Sequence, residues 1–185
     1  VATVRIAEMV GYDHVVDLAR ESGLNYQIKP TPAVALGAYE VSPLEMAGAY
    51  TIFANDGIYL KPGFISMVRS QNGEAIYARK LEEKRVLDPR VAYLMTNLME
   101  EVMRSGTAAG VRSRGYKAPA AGKTGTSHDG WFAGYTKDYI VIAWVGFDDN
   151  SDLNIEGARS ALPIWTDFML KAQELYPPRD IDAMS

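Results

Sequence analysis

The chain has 185 residues, of which 48% are hydrophobic and 23% charged, the composition of a globular protein that can bury a core. The formal net charge of -4, without a basic stripe, argues against a nucleic-acid partner, and the lack of cysteine excludes disulfides and thiolate metal sites. The longest strongly apolar run, from Tyr139 to Phe147, is too short to span a bilayer. Because the sequence starts at Val1 without an initiating methionine, we expect any membrane anchor to lie upstream.

The first forty residues predict two short helices and then a loop. Apolar side chains recur at helical spacing on both sides of Gly11, which breaks the pattern, and Gly23 is a typical helix stop. Pro30 and Pro32 then predict a loop with an extended stretch.

A strong helix start follows at Ser42. Its side chain can cap the helix, Pro43 suits the first helical position, and Glu45 completes a capping box. We expect this helix to run to about Ala54, where an Asn-Asp-Gly sequence ending at Gly57 stops it.

A hairpin and a longer helix are predicted next. The alternation near residues 63–80, with the turn pair Asn72-Gly73, is typical of a hairpin. The longer helix begins at Asp88-Pro89 and stops at Ser105-Gly106. Its predicted inward face consists of Val91, Leu94, Met95, Leu98 and Val102.

The character of the sequence changes after residue 117. Residues 118–127, 131–136 and 139–147 predict three strands, and the last of them, apolar on both faces, is expected to be central. Residues 160–176 predict a closing helix with an inward face of Leu162, Trp165, Phe168, Met169 and Ala172. The whole is an α+β fold with an antiparallel sheet covered by helices. We divide it into a helical region, 1–117, and a sheet with its closing helix, 118–176.

The sequence Gly122-Lys123-Thr124 looks like the end of a phosphate-binding loop. That loop needs a glycine where Lys117 stands, and it must open a helix. The residues after Thr124 are poor helix formers, so we reject a nucleotide site and predict no cofactor.

As part of a strand, the same residues have a different meaning. Alternation puts Lys123 and Gly125 on one face, with Thr124 and Thr126 on the other. The glycine lets another backbone approach the strand, the ammonium supplies charge, and the two hydroxyls can donate to a carboxylate. The site therefore suits an extended peptide with a carboxylate end, paired edge-on. The alternative is a solvated lysine beside turn-prone threonines.

Other groups of functional residue types have simpler interpretations. Ser127-His128-Asp129 has the residue types of a catalytic triad, but consecutive residues cannot make its hydrogen-bond chain, so His128 is expected in a turn or at the rim of the site. The acidic residues near 148–152 lack the pattern of a calcium loop and predict an acidic turn, so no metal site is expected. We expect four aromatic residues in the core: Trp131, Phe132, Trp144 and Trp165.

Around Lys123 the sequence resembles the transpeptidase domain of the penicillin-binding proteins, in which K-T-G is one of three motifs. "APAAGKTGTSHDGWFAGYTKDYIVIAWVGFDDN" is similar to the third strand of that family and the two strands after it. "ALGAYEVSPLEMAGAYTIFANDGIYLKP" resembles a stretch ahead of it, and "GARSALPIWTDFML" resembles the closing helix. The resemblance covers nearly the whole chain and is strongest to the bifunctional class A proteins, which join a glycosyltransferase to this domain. It implies a β-lactamase/transpeptidase-like fold, incomplete at its N-terminal side.

Two motifs of that family are missing from the sequence. The serine nucleophile belongs to S-x-x-K, which does not occur. The second motif, S-x-N, matches only Ser70-Gln71-Asn72, which we reject because it lies in the predicted hairpin turn. In the family it would fall immediately before "VATVRIAEMV". We therefore expect residues 1–185 to be the C-terminal part of a transpeptidase domain, without the catalytic serine and itself inactive.

The resemblance implies a serine-type D,D-transpeptidase of peptidoglycan synthesis, which forms an acyl-enzyme with D-Ala-D-Ala stem peptides and is the target of β-lactams. Lys123 would supply charge and help relay protons, and the hydroxyls of Thr124 and Thr126 would bind the substrate carboxylate. The N–H of Thr126 would form half of the oxyanion hole, and Gly125 would leave room for the peptide.

The resemblance also implies a location on the extracytoplasmic, periplasmic face of the bacterial cytoplasmic membrane, within a larger membrane-anchored protein. Contact with the membrane would come only through an upstream segment. Copies of the truncated chain would associate through exposed sheet edges. Two alternatives stay open: a non-catalytic binding or scaffold module of the same fold, and a β-lactamase-like or β-lactam-sensor domain.

Overall fold

The computed structural model describes residues 2–177, which form two compact units. Within the described residues, the first unit holds residues 2–52 together with Ile58–Val86, and the second holds Phe53–Gly57 and residues 87–177. The elements that begin in the first unit are α1 (Ala2–Val10), α2 (Tyr12–Glu21), a 3-10 helix (Pro32–Leu36), α3 (Pro43–Ala54), β1 (Ile58–Leu60), β2 (Met67–Arg69), β3 (Ala75–Ala78) and β4 (Glu83–Arg85).

The two short predicted helices are confirmed as α1 and α2. Gly11 separates them with a φ of 95°, a left-handed conformation that favours glycine. After α2, the N–H of Gly23 donates to the carbonyl of Arg20 at 2.9 Å, and the N–H of Leu24 donates to that of Ala19 at 3.0 Å. These two bonds make a Schellman motif, which satisfies carbonyls that the end of the helix leaves free.

The loop before α3 contains the 3-10 helix, where the sequence predicted an extended stretch. Pro32 occupies its first position, where the ring presets φ and the missing N–H has no intrahelical partner to lose. Gly37 ends it with a φ of 70° and donates its N–H to the carbonyl of Val34 at 3.2 Å. The extended stretch was therefore a wrong prediction, because a proline at this position favours a helical turn.

The capping box of α3 is confirmed. The N–H of Glu45 donates to Ser42 Oγ at 3.2 Å, and the N–H of Ser42 donates to Glu45 Oε2 at 2.7 Å. The helix ends at Ala54, as expected, and Gly57 follows with a φ of 88°. A Cβ at Gly57 would overlap the carbonyl of Leu87, so the glycine permits a close backbone approach there.

Two antiparallel strand pairs complete the first unit. β2 and β3 form a hairpin in which the carbonyl of Ser70 accepts from Gly73 N–H at 3.0 Å and its N–H donates to Glu74 at 2.8 Å. The three-residue loop has glycine at its last position, with a φ of 84°. β1 pairs with β4, with Ile58 opposite Arg85. That pair was not predicted, because each strand has three residues and the two lie far apart in the chain.

The second unit is an antiparallel sheet with helices packed on it, so the predicted α+β fold is confirmed. The sheet order is β5-β6-β7, so β7 is an edge strand among the described residues and not the predicted central strand. Apolar side chains on both faces of a strand do not require a neighbouring strand on each side, and in β7 only Ala143 is buried. The elements are α4 (Pro89–Arg104), α5 (Gly110–Ser113), β5 (Ala121–Thr126), β6 (Gly130–Tyr135), β7 (Ile140–Val145) and α6 (Ala161–Leu175).

Aromatic rings hold α6 against the sheet. Trp165 of α6 is fully buried, with its ring centroid 5.1 Å from that of Phe132 and 5.4 Å from that of Tyr116, both edge-on. Such pairs add about 0.5–1.5 kcal/mol each beyond the area they bury. The core prediction is right for Phe132 and Trp165, whereas Trp131 is half-buried and Trp144 is 38% exposed.

The inward faces of α4 and α6 differ from their predictions. Asp88 caps α4 as expected, accepting from the N–H of Arg90 at 2.9 Å. Leu94 and Leu98, however, are 61% and 62% exposed, and Phe168 of α6 is also exposed. The prediction chose the face with the most leucine and valine side chains, whereas the face that α4 buries combines two small residues with two methionines. The buried residues of α4 are Ala92, Thr96, Met99 and Met103.

Candidate active site on the open edge of a strand

The site is built on the outer edge of β5. Within residues 2–177, β5 pairs only with β6, so its other edge has no strand partner there. Just beyond the strand, the N–H of Ser127 donates to the carbonyl of Asp129 at 3.0 Å. In an antiparallel pair, every second residue bonds to the neighbouring strand, so Gly125 and Lys123 are among the residues of β5 that bond to β6. Since alternate residues of an edge strand bond to the neighbouring strand, the main-chain groups of Thr124 and Thr126 face the open edge.

Lys123 lies in the middle of β5 with an exposed side chain. Its Nζ donates to the carbonyl oxygen of Thr124 at 2.6 Å and to Thr124 Oγ1 at 3.3 Å. Because that carbonyl faces the open edge, the ammonium lies there as well. β5 runs into a turn and then into β6, and this context does not match a phosphate-binding loop, whose lysine opens a helix.

The two threonines of the motif have different surroundings. Thr124 is buried, and its Oγ1 lies 2.7 Å from Thr107 Oγ1. Thr126 is exposed, and its Oγ1 accepts the N–H of Gly157 at 3.0 Å. Because accepting uses a lone pair and leaves the hydroxyl proton free, Thr126 keeps a donor for a ligand.

Glycines allow close packing beside the motif. A Cβ at Gly125 would lie 3.1 Å from Trp131 Cβ, which is a tight contact. The glycine therefore also allows β5 and β6 to pack closely, in addition to the predicted room for a peptide. A Cβ at Gly157 would overlap the carbonyl oxygens of Gly125 and Trp131. The loop before α6 therefore lies directly against the end of the β5–β6 hairpin.

Asp129 joins three parts of the sheet. Its Oδ2 accepts the indole N–H of Trp131 at 2.8 Å and that of Trp144 at 2.7 Å. The two indoles, on β6 and β7, meet edge-on with ring centroids 6.3 Å apart. The carboxylate thus ties the turn after the motif to both neighbouring strands.

The triad residue types do not form a triad. Asp129 is bonded to the two indoles, and His128 is exposed in the turn, with its carbonyl accepting the N–H of Leu153 at 2.7 Å. The predicted acidic turn is present: Asp149 Oδ1 accepts the N–H of Ser151 at 3.0 Å. Hydrogen bonds from Ser151 lower the pKa of Asp149, so this carboxylate stabilises its own turn.

Three residues of this site were missed by reasoning from the sequence: Thr107, Asp129 and Gly157. The sequence predicts only a helix stop around Thr107, and the contact of this residue with Thr124 spans 17 residues. A threonine directly after a helix stop carries no signal of such a partner. Asp129 was considered only as a triad member, although two nearby tryptophans could have indicated N–H donors for it.

The fold and the site define an α+β protein in which the motif strand has an open edge, with the ammonium of Lys123 lying there. Within residues 2–177, no helix combines the length and apolar character needed to cross a membrane. A family model described as "Penicillin binding protein transpeptidase domain" matches residues 4–169. The chain belongs to this family, as its sequence predicted.

The relatives it matches are penicillin-binding proteins. Penicillin-binding protein 1A of Aquifex aeolicus is 34% identical over 98% of this chain and 25% of its own length. The crystal structure of penicillin-binding protein 1A from Haemophilus influenzae has a TM-score of 0.88 at 24% identity, covering 98% of this chain and 34% of that one. PonA1 from Mycobacterium tuberculosis, solved in complex with penicillin V, has a TM-score of 0.71 at 24% identity, covering 88% and 49%. The chain spans about a quarter of the length of the Aquifex relative.

Proposed function

We propose that this chain supplies the substrate-binding strand of a serine-type peptidoglycan D,D-transpeptidase, as the C-terminal part of that domain. The observation that carries the proposal is the open edge of β5: the ammonium of Lys123 lies there, and the main-chain groups of Thr124 and Thr126 face it. Thr126, in the same strand, keeps a hydroxyl proton for a ligand. An extended D-Ala-D-Ala peptide can pair with such an edge while its carboxylate meets the donors.

In the proposed reaction, a serine Oγ bonds to the carbonyl carbon between the last two D-alanines. The peptide C–N bond breaks, and the terminal D-alanine leaves as an amine. The amine of a neighbouring peptide then attacks the acyl-enzyme, forms the crosslink and releases the serine. Because no S-x-x-K occurs in these 185 residues, we place the serine elsewhere in the full-length protein.

Each residue of the motif has a role in this reaction. Lys123 attracts the substrate carboxylate and relays protons, and Thr124 and Thr126 donate their hydroxyls to it. The N–H of Thr126 faces the open edge, where it stabilises the oxyanion, a contribution of about 3–4 kcal/mol for one such donor. Gly125 keeps the strand open to the peptide.

We extend the same site to β-lactams, which present a carboxylate and a reactive carbonyl like those of the peptide. The solved complex of a relative with penicillin V is in line with this ligand class. Since peptidoglycan lies outside the cytoplasmic membrane, we place the full-length protein there, anchored by a segment other than these residues.

The test is covalent labelling of the full-length protein with fluorescent penicillin. We expect Lys123→Ala to slow labelling by about 10- to 100-fold, since a hydrogen bond to a charged group is worth about 1.5–3 kcal/mol. Lys117→Ala removes an exposed lysine six positions away and serves as the control, with labelling as in the wild type.

The outcomes separate the alternatives. Equal labelling of Lys123→Ala and wild type would mean that the site is assigned wrongly. A wild-type protein that never labels, with no S-x-x-K in its complete gene, would favour the scaffold module. Rapid hydrolysis of penicillin by the labelled wild type would favour a β-lactamase-like domain.

A further inference from the structure

Thr107 contributes a hydroxyl to the site from outside the K-T-G motif. It lies in the loop after α4, and its Oγ1 is 2.7 Å from Thr124 Oγ1. Thr124 Oγ1 is in turn 3.3 Å from Lys123 Nζ. Three side chains thus form a hydrogen-bond chain that ends at the open edge of β5.

The donors of this chain can be counted. A hydroxyl has one proton and accepts through two lone pairs, whereas an ammonium only donates. Lys123 therefore occupies one lone pair of Thr124. If Thr124 donates to Thr107, it has no proton left for a ligand; if Thr107 donates to Thr124, the Thr124 proton is free.

Exposure favours the second direction once a ligand carboxylate is bound. Thr107 is exposed, so water can donate to its lone pairs after its proton turns to Thr124. Thr124 is 9% exposed, so water can hardly replace Thr107 as its second donor. A bound carboxylate accepts only, and it draws the Thr124 proton toward itself.

We propose that Thr107 is a positioning residue: it donates to Thr124 Oγ1 and thereby directs the Thr124 proton to the carboxylate of the stem peptide or β-lactam. Thr107 acts through Thr124 and need not touch the ligand. This inference rests on the function proposed above and adds to it a residue that the family motif does not include.

The test measures the second-order rate constant of acylation by benzylpenicillin in the full-length protein. We expect Thr107→Val, which keeps the shape and removes the hydroxyl, to lower it about 10-fold, the size typical of one hydrogen bond involving a charged group. Thr107→Ser should restore it to within about twofold. In a Thr124→Val background, Thr107→Val should have no further effect, because the hydroxyl it acts through is gone.

The penicillin methyl ester separates this role from loop stability, since it lacks the charged carboxylate. The wild type should react slowly with the ester, and Thr107→Val should react equally slowly. An equal loss for acid and ester, an additive effect with Thr124→Val, or wild-type acylation by Thr107→Val would overturn the inference alone. A wild type that neither penicillin acylates would overturn the proposed function together with it.

Discussion

Two polar groups in the core of the second unit show what single residues contribute. Tyr116 OH and Trp165 Nε1 are buried without a hydrogen-bond partner within residues 2–177. A buried unsatisfied group costs about 1–3 kcal/mol. The two rings pack edge-on with their centroids 5.4 Å apart, so they stabilise the fold through packing and aromatic contact.

Tyr116 leads to a prediction about alkaline pH. Burial raises the pKa of its phenol from 10.0 to about 12, because the phenolate would lose its hydration. The folded state then holds the proton more tightly than the unfolded state. The protonated phenol of Tyr116 therefore contributes on the order of 2 kcal/mol to the free energy of unfolding. This contribution is complete below about pH 10 and is lost as the pH rises toward 12.

Tyr116→Phe removes both the titration and the unsatisfied hydroxyl. We expect it to be neutral or slightly stabilising at pH 7 and to flatten the decline in the free energy of unfolding above pH 10. Urea unfolding between pH 7 and 11 measures this. A decline as steep as that of the wild type would assign the alkaline sensitivity to other groups.

At the scale of elements, the end of the β5–β6 hairpin is held by side chains on one side and by a loop on the other. Asp129 bonds the indoles of Trp131 and Trp144, and Gly157 bonds Thr126. The turn after the motif is therefore fixed to β6, β7 and the loop before α6. This arrangement keeps the outward N–H of Thr126 in one direction, as the oxyanion role proposed for it requires.

Asp129→Ala should weaken this corner of the sheet. The substitution leaves two indole N–H groups without their acceptor. Because both indoles lie near the surface, we expect the free energy of unfolding to fall by about 1–2 kcal/mol. Asp129→Asn is the matched control, since its amide oxygen can still accept both bonds and should recover more than half of the loss. Thermal unfolding and the near-UV circular dichroism of the tryptophans measure the two variants. Equal stability of Asp129→Ala and the wild type would contradict the role.

At the scale of the whole molecule, the sheet has two open edges among the described residues. On β5 the open edge is the candidate ligand site. On β7 the main-chain groups of Ile140, Ile142 and Trp144 face outward by the same alternation, and the strand carries no charge that would discourage another strand. We therefore propose that the isolated 185-residue chain self-associates through β7.

Ile142→Lys should reduce that association, because a lysine on an edge strand opposes strand pairing. Ile164→Lys makes the same change on the exposed side of α6 and serves as the control for added charge. Sedimentation over a range of concentrations should show dimers or larger species for the wild type and Ile164→Lys, and mainly monomer for Ile142→Lys. Equal association of both variants would place the contact elsewhere.

Many local elements of this protein could be predicted from its sequence, because they depend on interactions between residues that are close in the chain. The cap of α3 joins Ser42 to Glu45, three residues away, and Asp88 caps α4 through Arg90. The strand around Lys123 was predicted in the same way, from alternation and from the turn that follows it. Such features depend on spacing along the chain, which the sequence contains in full.

Contacts between distant residues were decided only by the tertiary structure. The inward face of α4 depends on which segments pack against the helix, so Ala92 and Thr96 are buried while Leu94 is exposed. The edge position of β7 and the pairing of Thr107 with Thr124 likewise depend on which segments meet in space. The sequence by itself determined most of the helices and the motif strand, because these rest on short-range spacing, and it determined the family through motifs that it contains in full. The outward direction of that strand and the partners of its hydroxyls came from packing, because many segments compete for each buried surface and local spacing does not select among them.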